Sequence, residues 1–293
     1  MWDGQDGTLL AALQQTAPSA VPNSAVFNHD GTRILSTNNT HQSVYLHNAD
    51  GKLITILNGH RPHNITTALF SQDGEFILSI TDNGDIRLWD KQGKLLRQQN
   101  YGDVSTAGFN WNGTHFFTAS DSYVRLGNSD TLQFETVTEW STPRSHTLFN
   151  HRGTHLLILE LYGRVQLFGI DEAGKPRRIS NWPMEGEGKV ALFSPLGTYI
   201  LAGDSLGMGY LLNDEGNLIM EIQTHANRSG LNAAAFHPRE TYFVTPSGRD
   251  RARIWMPIDL LLAEAERQLG LILTQQECQI HFGDILPSFC PSR

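Results

Sequence analysis

The chain has 293 residues, with 22 Lys+Arg against 30 Asp+Glu for a net charge of −8, and 39% hydrophobic residues with 27 glycines. That balance excludes a general nucleic-acid or anionic-membrane binder, which shows a basic excess, and it excludes a disordered or collagen-like chain. No apolar run reaches the roughly 18 residues of a membrane-spanning helix, and Met1-Trp2-Asp3-Gly4 lacks the basic and apolar stretches of a secretion signal.

The first predicted element is an apolar strand at Thr8-Leu-Leu-Ala-Ala-Leu13. Beyond it the chain repeats itself. Ala25-Val-Phe-Asn-His-Asp-Gly-Thr32 is followed by kindred segments starting at Ala68, Ala107, Thr147, Ala191 and Ala234. Their phenylalanines, Phe27, Phe70, Phe109, Phe149, Phe193 and Phe236, lie 43, 39, 40, 44 and 43 residues apart. Four residues past each phenylalanine stands a glycine in five of the six segments, and Glu240 in the sixth. Glycine there supplies the positive φ of a tight strand-to-strand turn. An apolar strand follows each turn, such as Phe76-Ile-Leu-Ser-Ile80 or Tyr199-Ile-Leu-Ala202, then a polar hairpin and a strand such as Ile86-Arg-Leu-Trp89 or Val165-Gln-Leu-Phe168. Asp90-Lys-Gln-Gly93 then turns into an outer strand, Lys94-Leu-Leu-Arg97. Four short strands in about 42 residues, repeated, cannot bury both faces of each sheet alone and stack radially. The expected fold is all-β, a β-propeller of six four-stranded blades.

These segments resemble the WD-repeat family. Ile86-Arg-Leu-Trp89-Asp90 matches the family's ending strand, Asn58-Gly59-His60 its Gly-His, and Trp2-Asp3 and Ala252-Arg-Ile-Trp255 match further, over residues 1 to 256. The resemblance implies a buried hydrogen-bond chain of His, Ser/Thr, Asp and Trp within a blade. Repeat two offers His60, Ser79, Asp82 or Asn83, and Trp89; repeat six offers His225, Thr245, Asp250 and Trp255. The other repeats put His47, Gly127, Phe168 and Leu212 at the Trp place, so their loops are expected to be held by packing. It also implies that residues 8–13 complete the last blade and close the ring, removing open sheet edges. Trp2-Asp3 allows a competing reading, in which the chain is part of a seven-bladed or longer array.

Residues 257–293 form a separate tail, expected to be helical and packed on the propeller. Asp259 caps Leu260-Leu-Leu-Ala-Glu-Ala-Glu-Arg-Gln-Leu269, Gly270 ends it, and Thr274-Gln-Gln-Glu277 is a capping box. Cys278 and Cys290, the two cysteines, both lie in this tail, so no disulfide framework holds the body and a cytoplasmic location is expected. The tail resembles that of bacterial multidomain WD-repeat proteins, which often carry an upstream nucleotide-binding signalling module; a regulatory piece of such an ATPase is therefore an alternative role.

Gly203-Asp-Ser-Leu-Gly207 satisfies Gly-x-Ser-x-Gly, yet a nucleophile elbow needs a strand feeding a helix, and Ser205 falls in a hairpin. A hydrolase using Ser205 is the weaker alternative. His60 sits at the structural His place of the resembled family, and His29 and His151 share one repeated turn position, which favours structural roles over a metal site; Cys278, His281 and Cys290 read as a free thiol or packing set. Phosphate cradles are absent from the sequence, and the basic runs Lys175-Pro-Arg-Arg178 and Arg249-Asp-Arg-Ala-Arg253 read as solvated faces. No catalytic residue, cofactor or metal is expected.

Function is then expected on exposed loops carried by a rigid scaffold. The loops before each innermost strand, with the hairpins between second and third strands, gather on one rim. There they present Arg61, His63, Asn64, Asp103, Arg144, His146, Tyr162, Arg228 and Arg249. Trp140 and Trp182 precede repeats and are candidate anchors or inter-blade packing. The expected role is a non-catalytic scaffold or sensor, in signal transduction, docking a protein or peptide, with no nucleic acid, membrane or obligate small molecule.

Overall fold

The computed structural model describes residues 6, 8–9, 12–13, 23–38, 42–139, 144–223, 230–246 and 252–257. The tail with Cys278 and Cys290 lies outside the described residues, as do Trp140, His225, Arg228, Arg249 and Asp250.

All described elements are strands. Sheet one holds β1 (Ser24–Phe27), β2 (Arg33–Asn38), β3 (Ser43–Asn48) and β4 (Leu53–Leu57). Sheet two holds β5 (Ile65–Phe70), β6 (Phe76–Thr81), β7 (Asp85–Asp90) and β8 (Leu95–Asn100). Sheet three holds β9 (Thr106–Phe109), β10 (His115–Ala119), β11 (Tyr123–Asn128) and β12 (Phe134–Glu139). Sheet four holds β13 (Arg144–Phe149), β14 (His155–Glu160), β15 (Arg164–Ile170) and β16 (Pro176–Pro183). Sheet five holds β17 (Gly188–Phe193), β18 (Tyr199–Asp204), β19 (Met208–Asn213) and β20 (Leu218–Gln223). Sheet six shows β21 (Ala235–Phe236), β22 (Phe243–Pro246) and β23 (Ala252–Trp255) among the described residues. Strand order within every sheet is chain order, with antiparallel pairing throughout.

The core consists of what lies between successive sheets. Leu35, Val44, Leu46 and Leu57 of sheet one meet Ile65, Ile77 and Trp89 of sheet two. Leu78, Ile80, Ile86 and Leu88 meet Phe116 of sheet three, and Phe117, Ala119 and Val124 meet Leu156, Ile158 and Phe168 of sheet four. Leu157, Leu159, Val165 and Leu167 meet Ile200, Ala202, Tyr210 and Leu212 of sheet five, and Tyr199, Leu201 and Leu211 meet Phe243 of sheet six. Period-2 alternation explains this: Leu156 and Ile158 point one way, Leu157 and Leu159 the other. A strand buried on both faces reads as an unbroken apolar run, as in Leu156-Leu-Ile-Leu159, and each fully buried leucine contributes about 2 kcal/mol. The fourth strands are outermost; β8 is exposed along its whole length, while β4 and β20 keep apolar, half-buried residues.

The turns between first and second strands interlock from sheet to sheet on one face. Asn28, Asn110 and Asn150 occupy the same register, and each accepts a backbone N–H within its own turn, from Arg33 at 2.9 Å, His115 at 3.0 Å and His155 at 3.0 Å. The next sheet's repeated glycine seats against such a residue. Gly153 has φ +70°, and a Cβ there would lie 2.8 Å from Asn110 Cβ, so the recurrent glycine serves packing as well as turn geometry. Glu240 stands at the glycine place of sheet six with φ +58°, and its Oε1 accepts from Leu196 N at 2.5 Å. The exception in the repeat is thus a tie between sheets five and six.

Among the described residues, none packs over the other side of the first sheet. Phe27 is 56% exposed, while its five repeat equivalents are half-buried, and a Cβ on Gly31 would meet nothing within 4 Å. Leu9 makes an isolated bridge and is exposed; residues 10 and 11 of the expected closing strand lie outside the described residues.

Candidate partner-binding rim

On the opposite face the loops before each first strand meet the hairpins between second and third strands. In sheet two, Ser79 lies two residues on from Ile77 and so shares its face, the side where Trp89 packs. Trp89 Nε1 donates to Ser79 Oγ at 2.7 Å, and Ser79 Oγ lies 2.8 Å from His60 Nε2. His60 Nδ1 faces the Asp85 carboxylate at 3.5 Å, which holds the ring proton on Nδ1 and leaves Nε2 to accept from the serine hydroxyl. Burial, followed by the nearby Arg87 charge, lowers the His60 pKa to about 4, so the ring is neutral at pH 7.

One expected member is therefore corrected. Asp82 is not in this buried chain; Asp85 takes the place, because residues 85 and 87 share a face of β7 while Asp82 sits in the hairpin. Arg87 Nε donates to Asp85 Oδ2 at 2.8 Å, and its other nitrogens donate to the carbonyls of Asn58 at 3.0 Å and Gly59 at 2.6 Å. Asp82 stands on the surface instead, its oxygens 3.4 Å from His63 Nδ1 and 3.2 Å from Asn64 Nδ2. It thus joins two of the expected docking residues. In sheet six Trp255 Nε1 donates to Thr245 Oγ1 at 2.8 Å; His225 and Asp250 lie outside the described residues.

The sheets without the tryptophan were expected to hold their loops by packing, and this is corrected for sheets three and five, where polar side chains hold them. Arg125 Nη1 donates to the Tyr101 carbonyl at 3.1 Å, with its guanidinium 3.9 Å from the Tyr123 ring centroid. Burial raises the Tyr123 pKa. Gln166 donates to Glu160, both buried. The buried Asp204 accepts from Gly186 N at 3.0 Å, Leu206 N at 2.9 Å, Met208 N at 2.9 Å and Tyr210 Oη at 3.2 Å. Tyr210 Oη in turn accepts from Glu185 N at 3.2 Å, and burial pushes the Tyr210 pKa up to about 12. At the Gly127 place, Phe116 and Phe134 fill the space a tryptophan would take.

A signal for these anchors is present in the sequence. Two residues before each tryptophan place stand Tyr45, Arg87, Arg125, Gln166, Tyr210 and Arg253, all long with a polar head. Three of them reach the backbone of the loop entering their own sheet, and Arg253 reaches the Gln223 carbonyl at the end of β20, at 3.2 Å. The hairpin of the preceding sheet grips that loop from the other side. Tyr101 N donates to Gly84 O at 3.1 Å, and a Cβ on Gly84 (φ +77°) would lie 1.4 Å from Gly102 O. Only glycine permits that approach.

On this frame Arg61, Asn64, Asp103 and Tyr162 are exposed, Tyr162 by 65%, and His63 is half-buried beside Asp82. Arg144 and His146 prove to lie on the innermost strand β13, opposite Glu160 and Leu159, so they do not sit in a loop. Trp182 lies within β16 opposite Val165 and packs against the core between sheets four and five. Ser205 is committed to the turn: its Oγ accepts from Glu187 N at 3.0 Å and its own N donates to Glu187 O at 2.8 Å. Among the described residues no group of three His, Cys, Asp or Glu side chains could hold a metal ion.

Four-stranded antiparallel meanders stacked face to face define a β-propeller. This propeller carries a WD repeat. Residues 51–90 match the family model of the WD domain, G-beta repeat, so the matched unit runs from β4 through β7. The β-propeller domain of Cps50 (Swd1) from Myceliophteria thermophila superposes with a TM-score of 0.57 at 20% identity, covering 84% of this chain and 85% of that one. No curated protein sequence matches the chain. WD40 propellers are in general non-catalytic scaffolds that bind protein partners.

Proposed function

We propose that this chain is a non-enzymatic interaction scaffold that docks a protein or peptide partner on the rim bearing Arg61, His63, Asn64, Asp82, Asp103 and Tyr162. The observation that carries the reading is the double grip on the entering loops, from Arg87, Arg125, Asp204 and Tyr210 on one side and the Gly84 hairpin on the other. Side chains on a frame held this way lose little further freedom on binding, which favours affinity. Among the described residues, exposed Asp82, Asp103, Asp121, Glu185 and Glu187 outnumber the cations on the same loops, which favours a partner presenting basic side chains. Ring closure by residues 8–13, six blades, a cytoplasmic setting and a place in a signalling assembly belong to the same proposal, supported by the repeat and by the resemblance of the tail.

Photo-cross-linking tests it. A benzophenone amino acid at Tyr162 or His63 captures a defined partner that the same probe at Lys94, on the outer strand side, does not. Equal capture from both places, or capture unchanged when Arg61, Asp103 and Tyr162 are together replaced by alanine, overturns the rim assignment.

A further inference from the structure

A groove of about 980 Å³ opens on the face opposite the rim, between the turn joining β15 to β16 and the turn joining β19 to β20. Its walls carry Lys175, Arg177 and Arg178 together with Ile179, Asp171 and Glu215. The two acids are already engaged. Asp171 Oδ1 accepts from Ala173 N at 3.0 Å and Lys175 N at 2.7 Å, and Glu215 Oε2 accepts from Asn217 Nδ2 at 3.1 Å. The three cations are not: their side chains have no hydrogen-bond or ion-pair partner, and all three are exposed. Ile179 adds apolar surface, 42% exposed, beside them.

A solvated basic face would place such charges on a convex surface. Here they surround a concavity whose floor is fixed, since the turn at Gly216 seats directly on β16; a Cβ there would lie 1.9 Å from Ser180 Oγ. The groove lining sets three cations against two acids, a small local excess of positive charge in a chain of net charge −8. Arginine forks match carboxylates in bidentate geometry, and an apolar flank suits an aliphatic neighbour of the acid. We infer that this groove receives an acidic, leucine-containing peptide segment of a protein partner, independently of the rim. Because the two sites lie on opposite faces, the groove variants leave rim cross-linking as the separate readout of the rim.

The test is fluorescence anisotropy with a fluorescein-labelled peptide of repeating Leu-Asp-Glu, its Leu-Asn-Gln counterpart serving as control. The acidic peptide binds in 50 mM salt and weakens as salt rises, while the amide peptide does not bind. Arg177→Glu with Arg178→Glu weakens binding about tenfold, as the loss of two exposed ion pairs with added repulsion implies. Arg177→Lys with Arg178→Lys keeps the charge and loses the fork, for a smaller loss of about threefold. Lys52→Glu with Lys94→Glu, exposed cations elsewhere, leaves it unchanged. Equal binding of the two peptides, or no effect of the arginine reversal, overturns the inference. So does binding of phosphatidylserine vesicles or single-stranded DNA through these arginines without binding of the peptide.

Discussion

Replacing Ser79 by alanine removes a single oxygen from the interior of sheet two, yet two buried partners depend on it. Trp89 Nε1 loses its acceptor at 2.7 Å and His60 Nε2 loses its donor at 2.8 Å, both where solvent cannot replace them. Each orphaned buried group costs about 1–3 kcal/mol, so Ser79→Ala is expected to destabilise by about 2–5 kcal/mol. Trp89→Phe removes the indole N–H and part of the ring, for about 1–3 kcal/mol, and leaves the Ser79–His60 bond in place. Once the indole N–H is gone, Ser79→Ala orphans only the histidine. The double variant should then be less destabilised than the sum of the singles by about 1–2 kcal/mol. Urea unfolding followed by far-ultraviolet circular dichroism, which does not depend on the tryptophan removed, measures all three. Additivity to within about 0.5 kcal/mol would refute the shared-acceptor geometry.

Three further outcomes follow from the same bonds. His60 has an ordinary value of 6.5 and is lowered to about 4 in the fold; the unfolded chain therefore takes up the proton first as pH falls, and stability is full above pH 6.5 and declines toward pH 4 by about 3 kcal/mol. His60→Gln lacks that share of the slope, and equal slopes in the two proteins contradict it. At position 240, with φ +58° and a carboxylate on Leu196 N, Glu240→Ala loses the bond and keeps the strain, so Glu240→Gly is expected to be the more stable variant by about 1 kcal/mol, in thermal melts. A fluorophosphonate probe is expected to leave Ser205 unlabelled, since its hydroxyl accepts from Glu187 N and no helix follows the turn; stoichiometric labelling there sinks the non-enzymatic reading.

The repeat was legible because propeller packing demands it. Every second strand is squeezed between two neighbours, so runs such as Leu156-Leu-Ile-Leu159 record burial on both faces, and the phenylalanine–glycine spacing records where each turn meets the next. The individual polar contacts were less legible. Asp82 and Asp85 are both acids near the hairpin, and sequence order cannot tell which one faces inward; the two-residue offset from Arg87 decides it, through strand alternation. Glu160 with Gln166 and Asp204 with Tyr210 share one spacing of six residues but no residue type, so matching against a tryptophan-centred pattern passes over them. Arg144 was misplaced for a different reason: the start of β13 is set by pairing with β14, and the residue carries no local stop signal.

The substitutions at the anchor position show what the fold requires there. Arginine donates to loop carbonyls in sheets two and three and to the last carbonyl of β20 in sheet six, whereas tyrosine accepts a loop N–H in sheet five, so donor and acceptor roles are exchanged without a change of strand register. What is common is reach: a polar head several bonds from the backbone, issuing from the middle of a buried third strand. The loops being held need only offer one backbone group at the matching place, and backbone groups are present whatever the side chains are. The exposed side chains of Asp103 and Tyr162 are therefore released from holding the fold together. Their identity can be set by a partner, and substitution there should move binding far more than stability, the opposite of what Ser79, Asp204 or Glu240 would show.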